Sequence, residues 1–287
     1  MSAVSRFAPA PTGFLHLGHV VNAIYVWGVT RARGGRVLLR IEDHDRQRSR
    51  RSYEKAILGD LEWLGFVADE DAVRQSERTE VYEDALNKLR AAGLVYACNC
   101  SRRDFESSSE SLPTSALSER RYPGTCAGKR LAESPGRGVR VRLAPSVERF
   151  TDLRLGAQEQ RPSDQCGDLL AKDRQGNWTY QFAATVDDYV QGVTLVIRGE
   201  DLLSSTGRQL QLARLLGRTA PPEFLHHPLV MKSATQKLSK SDGDTGIREL
   251  RERDWKPGDV IGHAAWLAGL VGKSQSLDPT EVSTVIV

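Results

Sequence analysis

Long hydrophobic runs are missing from this chain of 287 residues. No apolar stretch approaches the roughly 18–20 residues that a bilayer-crossing helix needs, and the opening MSAVSRFAPAPTG lacks the hydrophobic region of a signal peptide. Both absences argue against a membrane and point to a soluble protein of the cytoplasm. Cysteine is scarce too: four in a chain of this size do not make a disulfide scaffold. Three of the four crowd into 98–126, which in a reducing compartment suggests a metal site, and Cys166 stands apart. Neither sign of charge dominates, with 40 Lys and Arg against 37 Asp and Glu, and the net +3 permits a nucleic-acid partner without requiring one. Internal repeats and long linkers are absent as well. What is present, 39% hydrophobic residues, suffices for a full core and for one large domain with an insertion.

The chain opens as a strand over 4–7, a Pro- and Gly-rich turn (APAPTG) and an apolar-periodic helix over about 18–33, closed by Gly34 and Gly35. VLLRI, at 37–41, is nearly continuous in apolar residues, as strands of a parallel sheet covered on both faces are. With the first strand and helix it makes a βαβ unit. Two amphipathic helices are expected next, one on Ala56, Leu58, Leu61 and Leu64, the other on Val81, Ala85, Leu86 and Leu89, with Gly65 and Gly93 as stops. From 98 to about 178 the texture changes to Ser runs, Pro-Gly pairs and short alternating strands such as 139–143, which suggests an insertion. Apolar periodicity resumes over 180–186, followed by a strand over 194–197, a helix over 206–216 and a short strand near 229–231. The loop SATQKLSKSDGDTG then leads to two modest helices within 247–271, separated by Lys256, Pro257 and Gly258. The fold class expected is α/β.

A strand that ends in a Pro/Gly turn and feeds a helix is a device for holding phosphates, because the helix N-terminus offers N–H donors and a partial positive charge. Here that turn carries His16 and His19, three residues apart and facing the same way, with Gly18 between them leaving room for a nucleotide. Far downstream, Lys237 and Lys240 of KLSKS sit in a Gly-, Ser- and Asp-rich loop from which two lysines could reach phosphate oxygens.

RFAPAPTGFLHLGH and KLSKS together resemble the two signatures of class I aminoacyl-tRNA synthetases, which implies a Rossmann-type parallel-sheet catalytic domain. LLRIEDHD (38–45), WTYQFA (178–183), VDDYVQGVTLVIRGEDL (186–202) and HHPLV (226–230) extend the resemblance to the glutamyl branch. A glutamate pocket needs guanidinium donors for the side-chain carboxylate and an acid for the ammonium, and Arg6, Arg198 and Glu42 supply that set. The resemblance implies that Arg6, Phe7, Ala8, Pro9, Ala10, Glu42, Tyr180 and Arg198 line the amino-acid site. It likewise implies that His16, Gly18, His19 and Lys240 hold ATP, and that His16, His19, Lys237 and Lys240 are the catalytic group. Ala10 departs from the serine usual in that loop, and KLSKS has leucine where methionine is commoner, a volume-conserving exchange. Asp187 and Asp188 leave two readings open, a metal or acid/base role and a turn or capping role.

The chain ends at Val287, too soon after KLSKS for the helical anticodon-reading domain of full-length glutamyl enzymes. Cys98-Asn99-Cys100 with Tyr122-Pro123-Gly124-Thr125-Cys126 resembles the zinc site of the truncated paralogue family, the glutamyl-Q tRNA(Asp) synthetases. That likeness implies one structural Zn²⁺ on Cys98, Cys100, Tyr122 and Cys126, with no position left for substrate. The division expected is 1–97 and 178–245 as two halves of the catalytic domain, 98–177 as an inserted zinc subdomain and 246–287 as a short helical end. The reaction implied is tRNA-independent activation of L-glutamate with ATP and Mg²⁺, followed by transfer to queuosine in the anticodon stem-loop of tRNA(Asp), by a monomer. Arg102, Arg103, Arg120, Arg121, Lys129 and Arg130 are candidate phosphate contacts. Two other functions fit the same motifs: a truncated glutamyl-tRNA synthetase charging the 3′ end of tRNA, and a synthetase-like nucleotide-binding module that has lost tRNA transfer.

Overall fold

A computed structural model describes residues 2–101, 104, 121–230 and 246–286. Strand β1 (Val4–Phe7), helix α1 (Leu17–Ala32) and strand β2 (Arg36–Ile41) form the expected βαβ unit, with β1 and β2 parallel and Arg6 opposite Leu38. α1 is buried almost all round, from Leu17 to Thr30, because elements pack against it on every side. Its neighbours include α2 (Arg51–Leu64) with Ile57, Leu61 and Leu64 buried, and the helix Pro257–Leu267 with Val260, Ile261, Ala264 and Ala265 buried. Gly65 (φ 77°) ends α2 in the left-handed conformation that lets a helix stop sharply, and Gly93 (φ 70°) follows α3 (Thr79–Ala91) in the same way.

Beyond β2 lies the short parallel strand β3 (Val73–Arg74). An antiparallel sheet of β4 (Val95–Cys98), β5 (Gly138–Val141) and β8 (Leu169–Lys172) stands apart and carries Cys98 at its rim. A third sheet has the order β7-β6-β10-β9: β6 (Glu148–Asp152), β7 (Gly156–Gln160), β9 (Leu195–Gly199) and β10 (Glu223–His227). In it β6, β10 and β9 run parallel. The β1 and β9 sheets meet where the Thr194 N–H donates to the Val4 carbonyl at 2.9 Å and the Val4 N–H donates to the Thr194 hydroxyl at 2.9 Å. The helices Tyr180–Val190 and Thr206–Leu215 pack on each other, the first also against β8 and the second against β6.

Two features differ from the sequence reading. The strand expected near 229–231 lies earlier, at Glu223–His227, and Pro228 ends it because proline has no N–H for a ladder. His226 and His227 in it are buried and hydrogen-bonded. Strand β6, from the stretch taken as an insertion, pairs with β10 at Phe224 and Asp152 and so belongs to the same sheet as β9. Among the described residues no helix is long and apolar enough to cross a membrane.

Candidate active site

Arg6 lies near the carboxyl end of β1, Glu42 just past β2, Arg198 near the end of β9 and His226 near the end of β10. Crevices outside the carboxyl ends of parallel strands are where open α/β sheets take ligands. Arg6 is buried, its Nε donating to Asp188 Oδ1 at 2.9 Å and its Nη1 to the Ile197 carbonyl at 3.2 Å. Arg40, fully buried, donates from Nη1 to Asp188 Oδ1 at 2.8 Å and from Nη2 to Glu42 Oε1 at 3.2 Å. Burial alone would raise the Asp188 carboxyl, but Arg6 and Arg40 overcome it and hold it at about 2. Glu42 is pushed upward by burial, with Arg40, His44 and Arg6 working against that shift.

The loop after β1 is tied to the same place, because the Glu42 N–H donates to the Pro9 carbonyl at 3.0 Å. Phe7 presents only its backbone, since its ring packs on Trp27 in the core with centroids 5.4 Å apart. Ala8 and Ala10 are half-buried and Pro9 is buried. Tyr180 opens its helix beside Arg198 and 6.4 Å from the His44 ring. Both Tyr180 and His44 line a cleft of about 1340 Å³ that runs to Cys98, Cys100 and Tyr122. Arg6, Glu42, Tyr180 and Arg198 are thus brought together.

The nucleotide turn is built by its own histidines. His16 is the N-cap of α1 and its Nδ1 accepts the Gly18 N–H at 3.1 Å, while His19 Nδ1 accepts the His16 N–H at 3.1 Å. A neutral imidazole whose Nδ1 accepts carries its proton on Nε2, so both rings offer Nε2–H as their donor, with centroids 4.0 Å apart. A Cβ on Gly18 would stand 2.9 Å from His16 Cε1, so the turn admits only glycine without displacing that ring. Lys237 and Lys240 lie outside the described residues. The described residues flanking them approach α1 on both sides: His227 Nε2 is 3.1 Å from Asn22 Oδ1 and its ring stacks on Tyr25, and Gly246 bridges to His16 while the Ile247 N–H donates to the Leu15 carbonyl at 3.0 Å.

Asp187 and Asp188 occupy neither a turn nor a cap; both are buried inside the helix Tyr180–Val190 as acceptors for cations and donors from other elements. Asp187 accepts from Arg78 at 2.7 Å, from the Gln75 amide at 2.8 Å and from the Tyr82 hydroxyl at 2.8 Å. These donors occupy both Asp187 oxygens, which argues against a metal or acid/base role for Asp187, while Asp188 Oδ1 is taken by Arg6 and Arg40. Arg40, Asp152 and His226 were not singled out from sequence. The available signal was an arginine inside the apolar strand VLLRI, since a buried charge requires a partner elsewhere.

The sulfurs of Cys98, Cys100 and Cys126 all lie within 4.8 Å of one another. Cys98 donates to the Tyr122 oxygen at 3.5 Å, the Cys126 N–H donates to the same oxygen at 2.9 Å, and the Cys100 and Cys126 sulfurs are 3.6 Å apart. Burial and the Cys126 thiol push the Cys100 thiol up to about 12. Cys166 is separate, its thiol donating to the Pro162 and Gly167 carbonyls at 3.1 and 3.2 Å.

Residues 2–272 match the family described as tRNA synthetases class I (E and Q), catalytic domain. The chain is 40% identical over 296 aligned residues to a glutamyl-Q tRNA(Asp) synthetase of Symbiobacterium thermophilum, covering 98% of this chain and 91% of that protein. It is 37% identical to glutamate–tRNA ligase 2 of Syntrophus aciditrophicus, over 95% of this chain and 58% of that protein. The crystal structure of a glutamate tRNA ligase from Elizabethkingia meningosepticum, in complex with its amino acid, superposes with a TM-score of 0.80 at 26% identity, over 99% of this chain and 64% of that one. The chain therefore spans less than two thirds of these two glutamate ligases. Its site geometry, its matched family and its relatives agree: the chain belongs to the class I tRNA synthetases of the glutamate and glutamine type, in the group whose curated members are named glutamyl-Q tRNA(Asp) synthetase.

Proposed function

We propose that this protein activates L-glutamate with ATP as glutamyl-adenylate, without tRNA, and transfers the glutamyl group to queuosine in the anticodon stem-loop of tRNA(Asp). The observation that carries the reading is the convergence of Arg6, Glu42, Tyr180 and Arg198 at the strand ends. The His16–His19 turn of α1 follows β1 directly. The glutamate α-carboxylate attacks the α-phosphorus and pyrophosphate leaves. His16, His19, Lys237, Lys240 and Mg²⁺ offset the charge on the phosphates, so positioning and electrostatics supply the catalysis. A hydroxyl of the queuosine ring then attacks the acyl carbon, AMP departs with the bonding electrons, and the hydroxyl proton is lost. The mixed anhydride is already an activated acyl donor, which removes the need for a strong general base. The name of the Symbiobacterium relative supports the acceptor.

On this reading 1–97 and 178–245 form the catalytic domain, with 98–177 inserted but returning β6 and β7 to its sheet, and 246–287 a helical end, in a cytoplasmic monomer. Arg121, Lys129 and Arg130, exposed beside the cysteine cluster, are the described candidates for the RNA backbone; Arg102, Arg103 and Arg120 lie outside the described residues. Cys98, Cys100, Tyr122 and Cys126 fit a closed Zn²⁺ shell of three sulfurs and one oxygen, a structural ion holding the rim of the β4-β5-β8 sheet. Metal analysis of the purified protein should give about one zinc per chain, and Cys98→Ser should lose most of it; zinc-free wild-type protein would contradict the site. For the acceptor, labelled glutamate should be transferred to tRNA(Asp) that carries queuosine and not to tRNA(Asp) that lacks it. Equal labelling of both, or labelling at the 3′ end of tRNA(Glu), would overturn the proposal.

A further inference from the structure

Three arginines are buried around the strand ends, and they differ in what they donate to. Arg6 and Arg40 are each in contact with a carboxylate, at 2.9 and 2.8 Å from Asp188. Arg198 donates to neutral acceptors: His226 Nε2 at 3.0 Å, Gln209 Oε1 at 2.6 Å and Thr206 Oγ1 at 2.9 Å, with the Tyr180 hydroxyl also beside it. Among the described residues no ion pair to Arg198 exists, although it is 4% exposed. A carboxylate does stand nearby, one imidazole away, since His226 Nδ1 is 2.7 Å from Asp152 Oδ2.

We infer that His226 is a positioning residue: held by Asp152 in the tautomer with its proton on Nδ1, it turns a lone pair to Arg198 and presents that guanidinium, with no carboxylate in ion-pair contact among the described residues, to the substrate's side-chain carboxylate. The tautomer follows from the donors. Arg198 Nε always donates, so His226 Nε2 must accept and the ring proton sits on Nδ1, pointing at Asp152. A protonated ring would set N–H against N–H. Burial and the Arg198 charge keep the ring neutral, lowering its pKa to about 4.

Asp152 is itself held in place. It accepts the backbone N–H groups of His226 at 3.0 Å, Arg154 at 3.0 Å and Leu155 at 2.9 Å, so it cannot swing across to pair with Arg198 directly. The ladder fixes the other partner, because His226 stands opposite Arg198 in the β9–β10 register. An arginine paired to its own carboxylate would have to give up that partner before taking a substrate's. One held by an imidazole, an amide and a hydroxyl has no paired carboxylate to displace. Such a site favours a carboxylate over a carboxamide, and glutamate over glutamine follows.

This inference rests on the glutamate reading proposed above, and its test separates the two. In ATP–pyrophosphate exchange, His226→Ala should raise the KM for glutamate by about tenfold or more, as misplacement of a binding group does, with the KM for ATP within about twofold. His226→Gln offers an amide oxygen to Arg198 and an amide N–H to Asp152, and should recover most of the loss. An unchanged glutamate KM in His226→Ala would overturn the inference, as would a glutamine variant no better than the alanine one. If His226→Ala does not fold, ¹⁵N NMR of the wild-type histidines decides: Nδ1–H at neutral pH is expected for His226, and Nε2–H or an imidazolium refutes the arrangement. Failure of the wild type to exchange with glutamate would sink the glutamate reading, while the NMR result would still decide the role of His226.

Discussion

Replacing Arg40 with methionine should destabilise the protein by roughly 3–5 kcal/mol, the usual cost of removing one partner from a buried ionic cluster. Arg40 is fully buried and stands 2.8 Å from Asp188, 3.2 Å from Glu42 and 3.8 Å from Asp187. Without it, Asp188 keeps Arg6 and Asp187 keeps Arg78, Gln75 and Tyr82, but Glu42 is left without its guanidinium. The double variant Arg40→Met with Glu42→Gln should therefore recover part of the loss. Urea unfolding reads both; a change below about 1 kcal/mol for the single variant would mean that the cluster is not a cooperating unit. The larger effect falls on activity, since Arg40 sets the position of Asp188, and Asp188 in turn fixes Arg6.

The second large effect is expected at Arg198. Its replacement by alanine removes a desolvated cation and should lower kcat/KM for glutamate by about three orders of magnitude, roughly 4 kcal/mol. The KM for ATP should move little, because the His16–His19 turn is built from α1 and its own backbone. Arg198→Lys should be nearly as poor, since an ammonium cannot reproduce the fork that reaches His226, Gln209 and Thr206 together. The discrimination between glutamate and glutamine should collapse with it. Steady-state exchange kinetics on the two amino acids measure all of this, and a glutamate preference that survives Arg198→Ala would assign recognition to another group.

How much of this was legible in the sequence depended on distance along the chain. The βαβ unit, the position of His16 at a helix start and the stops at Gly65 and Gly93 are local, written in apolar spacing and in residues that tolerate positive φ. Strand β10 was misplaced because burial of His226 and His227 depends on partners 74 and 205 residues away, at Asp152 and Asn22. The pairing of β6 with β10 is non-local in the same way, and no periodicity within 148–152 announces it. For Asp187 and Asp188 the sequence leaves a metal or acid/base role and a turn or capping role both open, since a pair of aspartates serves either. Their partners lie on three other elements and the loops between them, so only the folded chain shows two buried acceptors. For the site residues the motifs gave positions, and the geometry separated Arg6, already paired with Asp188, from Arg198, whose partners are neutral.

The pattern has a simple electrostatic logic. Acids at 187 and 188 hold Arg6 and Arg40, while Arg198, at the end of β9, has neutral hydrogen-bond partners; the proposed glutamate site rests on that difference. Glu42, in contact with Arg40, is the acid that the proposed function assigns to the substrate ammonium. The measurement that bears most directly on this account is ATP–pyrophosphate exchange by the purified protein without tRNA. Exchange that depends on L-glutamate, and that L-glutamine does not support, is the predicted result; no glutamate-dependent exchange, or equal rates with the two amino acids, would contradict it.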